Sequence, residues 1–177
     1  MKRIGLLSDT HSDLDESVFQ YFSECDEVWH AGDIGSLQVT DRLEAFKLLR
    51  AVHGNIDDNA IRLRYPEDLR FNCEGMDVWI THIGGYPGRY SKRVADQLKL
   101  NPPDLFICGH SHILKIMPDK KHNLLHINPG ACGHHGFHVM RTIVRFAIDA
   151  GKIRDVEVVE LGKRGAITPP SHHHPDS

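Results

Sequence analysis

Five short polar clusters each stand where an apolar run breaks: Asp9-Thr10-His11, Gly32-Asp33, Gly54-Asn55, Thr81-His82 and Gly109-His110-Ser111-His112. Their side chains offer carboxylate, imidazole and amide donors and no thiolate. This mixture suits divalent Mn, Fe, Zn, Ni or Co better than a soft thiolate metal or an all-oxygen calcium cage. Spacing adds to composition. Residues i and i+2 of an extended backbone point to one side, so Asp9 and His11 can reach one centre, and so can His110 and His112. Gly32, Gly54 and Gly109 each directly precede a candidate ligand. Lacking a Cβ, glycine lets the chain turn sharply and approach closely. Singly, each cluster has a bland reading. A Gly-Asp or Gly-Asn pair is usually a turn, and His82 alone could be a hydrogen-bonded core histidine. The ordered set, from residue 9 to residue 112, carries the signal.

These donors need elements to position them. The opening KRIGLLSDTH is a short apolar run ending in polar residues, which reads as a buried strand that stops abruptly. Ser12 or Asp13 can cap a helix whose stripe is Leu14, Val18, Phe19 and Phe22. A strand fits Glu27–His30, a helix Leu37–Phe46 and a further strand residues 48–52. This β-α-β-α-β order predicts a layered, partly parallel α/β start. A hairpin follows, residues 71–73 and 76–80 around Glu74-Gly75. After the Gly-rich loop 83–89, a helix is predicted over 91–100, with Val94, Leu98 and Leu100 inward. Strands fit 105–108, 113–117, 124–127, 141–148 and 153–159. The first half therefore reads as α/β, and the β-rich second half as a second sheet packed on the first. Ligand sites in such folds lie outside the carboxyl ends of strands, so the five clusters are candidates for one rim. No linker divides the chain, and one domain is expected over residues 1–164. Residues 165–177, rich in Pro, Ser and His, read as a disordered tail with a solvated His run.

Composition narrows the class. The 177 residues carry 21 Lys+Arg and 24 Asp+Glu, a formal charge of −3. A basic nucleic-acid module is thus disfavoured, and so is a polybasic membrane binder. No apolar run approaches the roughly 18 residues of a membrane span. The opening MKRIGLLSDT reads as a strand rather than a leader. Four cysteines without C-x-x-C spacing indicate neither a zinc ribbon nor a disulfide framework, and a cytoplasmic, reduced protein is expected. Histidine stands out at 14 residues, three of them in the tail.

In their order, Asp9-x-His11, Gly32-Asp33, Gly54-Asn55, His82 and Gly109-His110-x-His112 resemble the calcineurin-like metallophosphoesterase family, whose pattern is DxH, GD, GN, H and GHxH. The small size, Gly54-Asn55-x-Asp57 and Asn128-Pro129-Gly130 are similar to its compact phosphodiesterase subgroup. The resemblance implies a two-sheet β-sandwich flanked by helices in four αββα layers. It also implies two divalent ions, with Mn²⁺ the first choice and Ni²⁺, Fe²⁺ and Zn²⁺ as alternatives. Asp9, His11 and His112 would hold one ion; Asn55, His82 and His110 would hold the other; Asp33 would bridge both. Asp33, Asn55 and His82 would also be the catalytic set. Two such ions about 3.5–4 Å apart repel by roughly 20 kcal/mol at an effective dielectric of 20. Two aspartates and a hydroxide offset most of that and leave the site near +1, which attracts a phosphate. The implied reaction is in-line attack of metal-bound hydroxide on a small phosphate ester. No G-x-S-x-G elbow suggests a covalent route. A phosphomonoesterase and a non-catalytic protein-interaction scaffold of the same fold stand as alternatives. A homodimer is an open expectation.

One departure stands out. Many members read Gly-Asn-His-Glu, whereas this chain reads Gly54-Asn55-Ile56-Asp57. Ile56 cannot protonate a leaving group, and loss of a general acid costs about 10²–10⁴-fold. Good leaving groups, such as aryl esters, are therefore expected. His53 and His134 are the candidate substitutes. Asp57 is a candidate to orient a ligand. Arg89 reads as a surface residue before a phosphate clamp. Trp29, Trp79, Phe106, Phe146, Cys108, His30 and His126 read as structural, and no spacing supports Cys132 as a ligand.

Overall fold

The computed structural model describes residues 1–165. The tail reading falls on residues outside this range from 166 onward. One sheet is built from β1 (Lys2–Leu7), β2 (Glu27–His30), β3 (Leu48–Ala51), β11 (Met140–Asp149) and β12 (Lys152–Lys163), in the order β12-β11-β1-β2-β3. The other contains β4 (Asp68–Cys73), β5 (Met76–Thr81), β8 (Leu105–Ile107), β9 (Leu114–Asp119) and β10 (Leu124–Pro129), ordered β4-β5-β8-β10-β9. A small hairpin, β6 (Gly85–Tyr86) with β7 (Arg89–Tyr90), sits inside the Gly-rich loop. The helices are α1 (Ser17–Tyr21), α2 (Leu37–Phe46), α3 (Asn59–Arg64) and α4 (Lys92–Leu100).

The apolar runs explain the layering. Neighbouring strand residues face opposite ways, and here both faces are covered, so the central strands are apolar throughout. Leu6 and Trp29 join the cluster between the sheets, whereas Leu7 and Val28 join the cluster under the helices of the first sheet. On the second sheet, Val78, Ile80 and Ile107 face the first, and Trp79 and Phe106 pack on Val94 and Leu98 of α4. The result is the expected helix–sheet–sheet–helix sandwich. Trp29, Trp79, Phe106 and Phe146 are all core, at no more than 4% exposure.

Several expectations need correction. The first helix starts only at Ser17, and neither Ser12 nor Asp13 caps it. The N-cap is Glu16, which makes no side-chain cap bond; Asp15, one residue earlier, accepts from the Ser17 N–H at 2.9 Å and its hydroxyl at 2.7 Å. Leu100, at the end of α4, is 81% exposed rather than inward. Helix α3 was not anticipated; Asp58 caps it through Ile61 N–H at 3.1 Å. The halves also do not map onto the sheets. β11 returns to pair antiparallel with β1, so the C-terminal hairpin completes the first sheet.

Candidate metal centre

Register brings the clusters together. β1, β2 and β3 are parallel, with Leu7, His30 and Ala51 abreast, so their loops leave one rim side by side. The first two loops are zipped by backbone bonds, Asp9 N–H to Gly32 C=O at 2.9 Å and His11 N–H to Asp33 C=O at 3.0 Å. The second sheet delivers His82 beyond β5 and His110 beyond β8, which are parallel neighbours. The Gly109 N–H donates to His82 C=O at 2.9 Å. Asn128 Nδ2 ties the following turn by donating to Gly109 C=O at 2.9 Å and to Ser111 Oγ at 3.0 Å.

The expected close approaches are present at all three glycines; a Cβ on Gly32 would fall 2.6 Å from His82 Nδ1. A Cβ on Gly54 would fall 2.1 Å from Asp33 Oδ1, and one on Gly109 would fall 2.2 Å from Ser8 Oγ. Backbone strain gathers at the same place. Asp9, His11, Asp33, His110 and His112 all have left-handed φ, between +47° and +70°. Side chains other than glycine, asparagine and aspartate avoid this region, at a cost of about 1–2 kcal/mol each. Such strain concentrates at functional sites.

All seven predicted donors fall on this rim. Asp9, His11, Asp33 and His112 form one group of convergent ligand atoms, and Asp33, His82 and His110 form a second, each within 4.8 Å; Asp33 belongs to both. Asp9 Oδ1 lies 3.2 Å from His112 Nε2 and 3.8 Å from His11 Nε2. Asp33 Oδ2 lies 3.4 Å from His11 Nε2 and 3.2 Å from His82 Nε2. Asn55 joins through Oδ1, 3.0 Å from His110 Nδ1. An ion with bonds of about 2.1 Å separates its neighbouring ligands by roughly 3.0–3.4 Å, close to these spacings. The other donor atoms are already engaged. Asp9 Oδ2 accepts from Ser8 Oγ at 2.7 Å and His110 N–H at 3.2 Å. Asp33 Oδ1 accepts from Ile56 N–H at 3.1 Å. His82 Nδ1 bonds Ala31 C=O at 2.8 Å, which leaves Nε2 as the free lone pair. Among the described residues, Asp9 Oδ1, His11 Nε2 and His82 Nε2 are buried without a hydrogen-bond partner. Unsatisfied buried polar atoms cost about 1–3 kcal/mol each; a divalent cation in the first group would satisfy Asp9 Oδ1 and His11 Nε2, and one in the second would satisfy His82 Nε2. The residues present therefore fit a metal.

The charges agree. Burial pushes the Asp9 carboxyl up, but the His11 and His112 imidazoles beside it outweigh that and hold the group well below the usual carboxylate range. Asp33 is likewise lowered, its burial overcome by His82. Burial alone would lower His82, yet Asp33 and then Asp9 raise it. Without metal, His82 thus holds a proton to higher pH than a free imidazole, and a cation taking its Nε2 must compete with that proton, which makes binding pH-dependent.

Supporting residues divide into foreseen and unforeseen. Asp57, foreseen, is buried and accepts from Ile34, Gly35 and Gly54 N–H at 3.1, 2.8 and 2.7 Å, locking two donor loops together. His30 is structural, as read. It accepts from Gly32 N–H through Nδ1 at 3.1 Å and meets Thr10 Oγ1 at 3.0 Å through Nε2, and burial pushes it down to about 4. Arg62 was not singled out, yet its guanidinium donates to the carbonyls of Asp57, Gly54 and Asn55 at 2.7, 3.3 and 3.2 Å. No motif marks it, since its partners are backbone. His135 stacks on His11 at 4.6 Å and His138 meets His112 edge-on at 5.2 Å; the run of His in a Gly-rich loop was the only hint. His53 lines a cleft of about 400 Å³ beside Asn55 and His82, its Nδ1 on Tyr65 C=O at 2.8 Å. His134 instead pairs with Asp13. Arg89 is exposed and does not line that cleft. Cys132 is buried, its thiol pushed up to about 12, and joins neither donor group. Cys108 is a buried thiol, pushed higher still by burial.

A calcineurin-like phosphoesterase superfamily domain matches residues 1–151. A probable metallophosphoesterase of Methanocaldococcus jannaschii is 33% identical over 142 residues, covering 72% of this chain and 67% of that protein. Solved structures share the fold. An archaeal phosphodiesterase superposes with a TM-score of 0.69 at 24% identity, covering 89% of this chain and 99% of its own. A Vps29 from Entamoeba histolytica, complexed with Zn²⁺, does so with a TM-score of 0.65 at 16% identity, covering 89% and 98%. At these identities the likeness concerns the fold. Among the described residues, no helix is long and apolar enough to cross a membrane.

Proposed function

Because this chain belongs to the calcineurin-like phosphoesterase superfamily, we propose that it is a divalent-metal-dependent phosphodiesterase whose seven rim donors hold two ions. Asp9, His11 and His112 take one, Asn55, His82 and His110 take the other, and Asp33 bridges. One observation carries the reading: three buried, partnerless donor atoms, on Asp9, His11 and His82, converge around Asp33, whose carboxylate belongs to both groups. A nitrogen-and-oxygen donor set suits Mn²⁺, Ni²⁺, Fe²⁺ and Zn²⁺ alike, and Mn²⁺ is our first choice for the assay. The Zn²⁺-bound neighbour of the same fold and the archaeal phosphodiesterase support both parts of the proposal.

When bound, the ions would acidify a water and neutralise charge on the phosphoryl oxygens. The chain supplies the rest. Ser8 and the His110 N–H orient Asp9; Ile56 N–H orients Asp33; Ala31 C=O fixes the His82 tautomer. Asp57 and Arg62 hold the loop that presents Asn55. The cleft beside Asn55 and His82 gives room for an ester arm, with His53 on its wall. Ile56 is 47% exposed next to Asn55 and offers no proton, which favours diesters with stable leaving groups over monoesters.

The test strips metal with a chelator and restores Mn²⁺, then compares bis(p-nitrophenyl) phosphate with p-nitrophenyl phosphate. Mn²⁺-dependent turnover, faster on the diester, is expected. Faster monoester turnover would make it a phosphomonoesterase, and no metal-stimulated hydrolysis of either would leave a scaffold.

A further inference from the structure

A second cavity, of about 170 Å³, lies against the β6–β7 hairpin and is walled by Gly85, Tyr86, Ser111, Ile113, Lys115 and His126. None of the seven rim donors lines it. His126, on β10, is 0% exposed, and neither ring nitrogen has a hydrogen-bond partner. Its ring packs between Tyr90 at 5.9 Å and Phe106 at 5.7 Å. An apolar residue would fill that place without leaving a buried donor and acceptor unmet. Retaining imidazole there points to something that bonds it.

Two further groups on the wall are uncommitted. Lys115, on β9, makes no ion pair among the described residues; its ammonium rests 4.2 Å above the Tyr86 ring. Ser111 Oγ accepts from Asn128 Nδ2 at 3.0 Å and from Ile113 N–H at 3.2 Å, which leaves its hydroxyl hydrogen free to donate. A lone cation and a free hydroxyl donor select an anionic oxygen group. Burial, and then the Lys115 charge, push His126 down to about 4. Near neutral pH it is therefore an uncharged ring with one donor and one acceptor, suited to a hydroxyl or carbonyl.

We propose that this cavity is a separate binding site for a small organic anion, its carboxylate or phosphate against Lys115 and Ser111 and a neutral polar group against His126. The site shares Ser111 with the His110–His112 turn but uses none of the metal donors, so it stands whether or not the hydrolase reading does.

The test follows the His126 ring signals by NMR in the full-length, Zn²⁺-loaded chain, assigned by their loss in His126→Phe. Glycolate and 2-hydroxyethyl phosphate, each an anion bearing a hydroxyl, serve as probes, and ethylene glycol is the uncharged control. A saturable shift with at least one anion and none with the control is expected, with affinity falling about tenfold in Lys115→Met, the loss expected for one charge-assisted hydrogen bond. Which anion shifts the ring separates a carboxylate ligand from a phosphate one. No response to either anion at tens of millimolar would overturn the proposal. So would an equal response to ethylene glycol, or undiminished affinity in Lys115→Met.

Discussion

Replacing Gly54 by alanine disturbs the centre without removing a donor. The new Cβ would stand 2.1 Å from Asp33 Oδ1, 2.3 Å from the Asp33 backbone nitrogen and 2.8 Å from its Cγ. Ordinary contact begins more than 3 Å away, so something must retreat by about 1 Å. The carboxylate could rotate, but the backbone nitrogen cannot, and the Asn55 loop has to move as well. That motion strains the bonds from Gly54 N–H to Asp57 at 2.7 Å and from Ile56 N–H to Asp33 at 3.1 Å. Overpacking of this kind costs about 1–3 kcal/mol, or about 2–10 °C in Tm for a chain of this size. A misplacement of about 1 Å at a reacting centre costs about 10²-fold in rate. Calorimetric titration with Mn²⁺, thermal melts and diester turnover measure the three effects. Gly88→Ala is the control. Its Cβ meets nothing within 4 Å, although its φ is +90°, so it should lose about 1 kcal/mol of stability from backbone strain and keep its Mn²⁺ affinity. Wild-type Mn²⁺ affinity and turnover in Gly54→Ala would refute the claim that this loop and Asp33 share one crowded site.

Further outcomes follow from the same geometry. Asp57→Ala strands three backbone N–H groups, two of them fully enclosed; a loss of about 3–5 kcal/mol is expected in denaturant unfolding, and a loss under 1 kcal/mol would show that these bonds do not hold the loops. His30 and His126 are both held down from 6.5 to about 4, in each case chiefly by burial. Between those values the unfolded chain binds more protons, so stability is full above pH 6.5 and falls as pH drops toward 4, by at most about 3 kcal/mol per ring. A melting temperature that stays flat over that window would contradict it. In the metal-free chain His82, raised by Asp33, works in the opposite sense and loses its contribution as pH rises above 6.5. Asp33→Asn should reduce Mn²⁺-dependent turnover more than Asn55→Ala, because it removes charge from both donor groups; equal, near-wild-type rates would count against bridging.

Much of this site was legible because its donors follow strands. A polar Asp, His or Asn that ends an apolar run marks a strand terminus, and parallel register then carries Leu7, His30 and Ala51 to one rim. Helix α2 was read to its observed bounds since Val39 and Leu43 recur at helical spacing over ten residues. Helix α3 escaped because six residues with one buried side chain, Ile61, have no period to detect. The return of β11 to β1 is pairing between residues far apart in the chain, and apolar strands buried on both faces fit either sheet equally well. Leu100 misled because apolar type at a helix end does not say where the helix stops covering its sheet. Arg62 and Asp57 hold the donor loops through backbone groups. A carboxylate two residues beyond Asn55 was visible as a candidate, but a guanidinium seven residues away gave no local sign.

The central claim is that seven scattered donors hold two cations. A crystal structure of the Mn²⁺-loaded chain, with anomalous scattering recorded at the manganese edge, tests it most directly. Two peaks are predicted. Asp9, His11 and His112 should ligate one and Asn55, His82 and His110 the other, with Asp33 touching both. A single peak that leaves His82 and His110 unligated, or manganese bound only away from Asp33, would contradict the account.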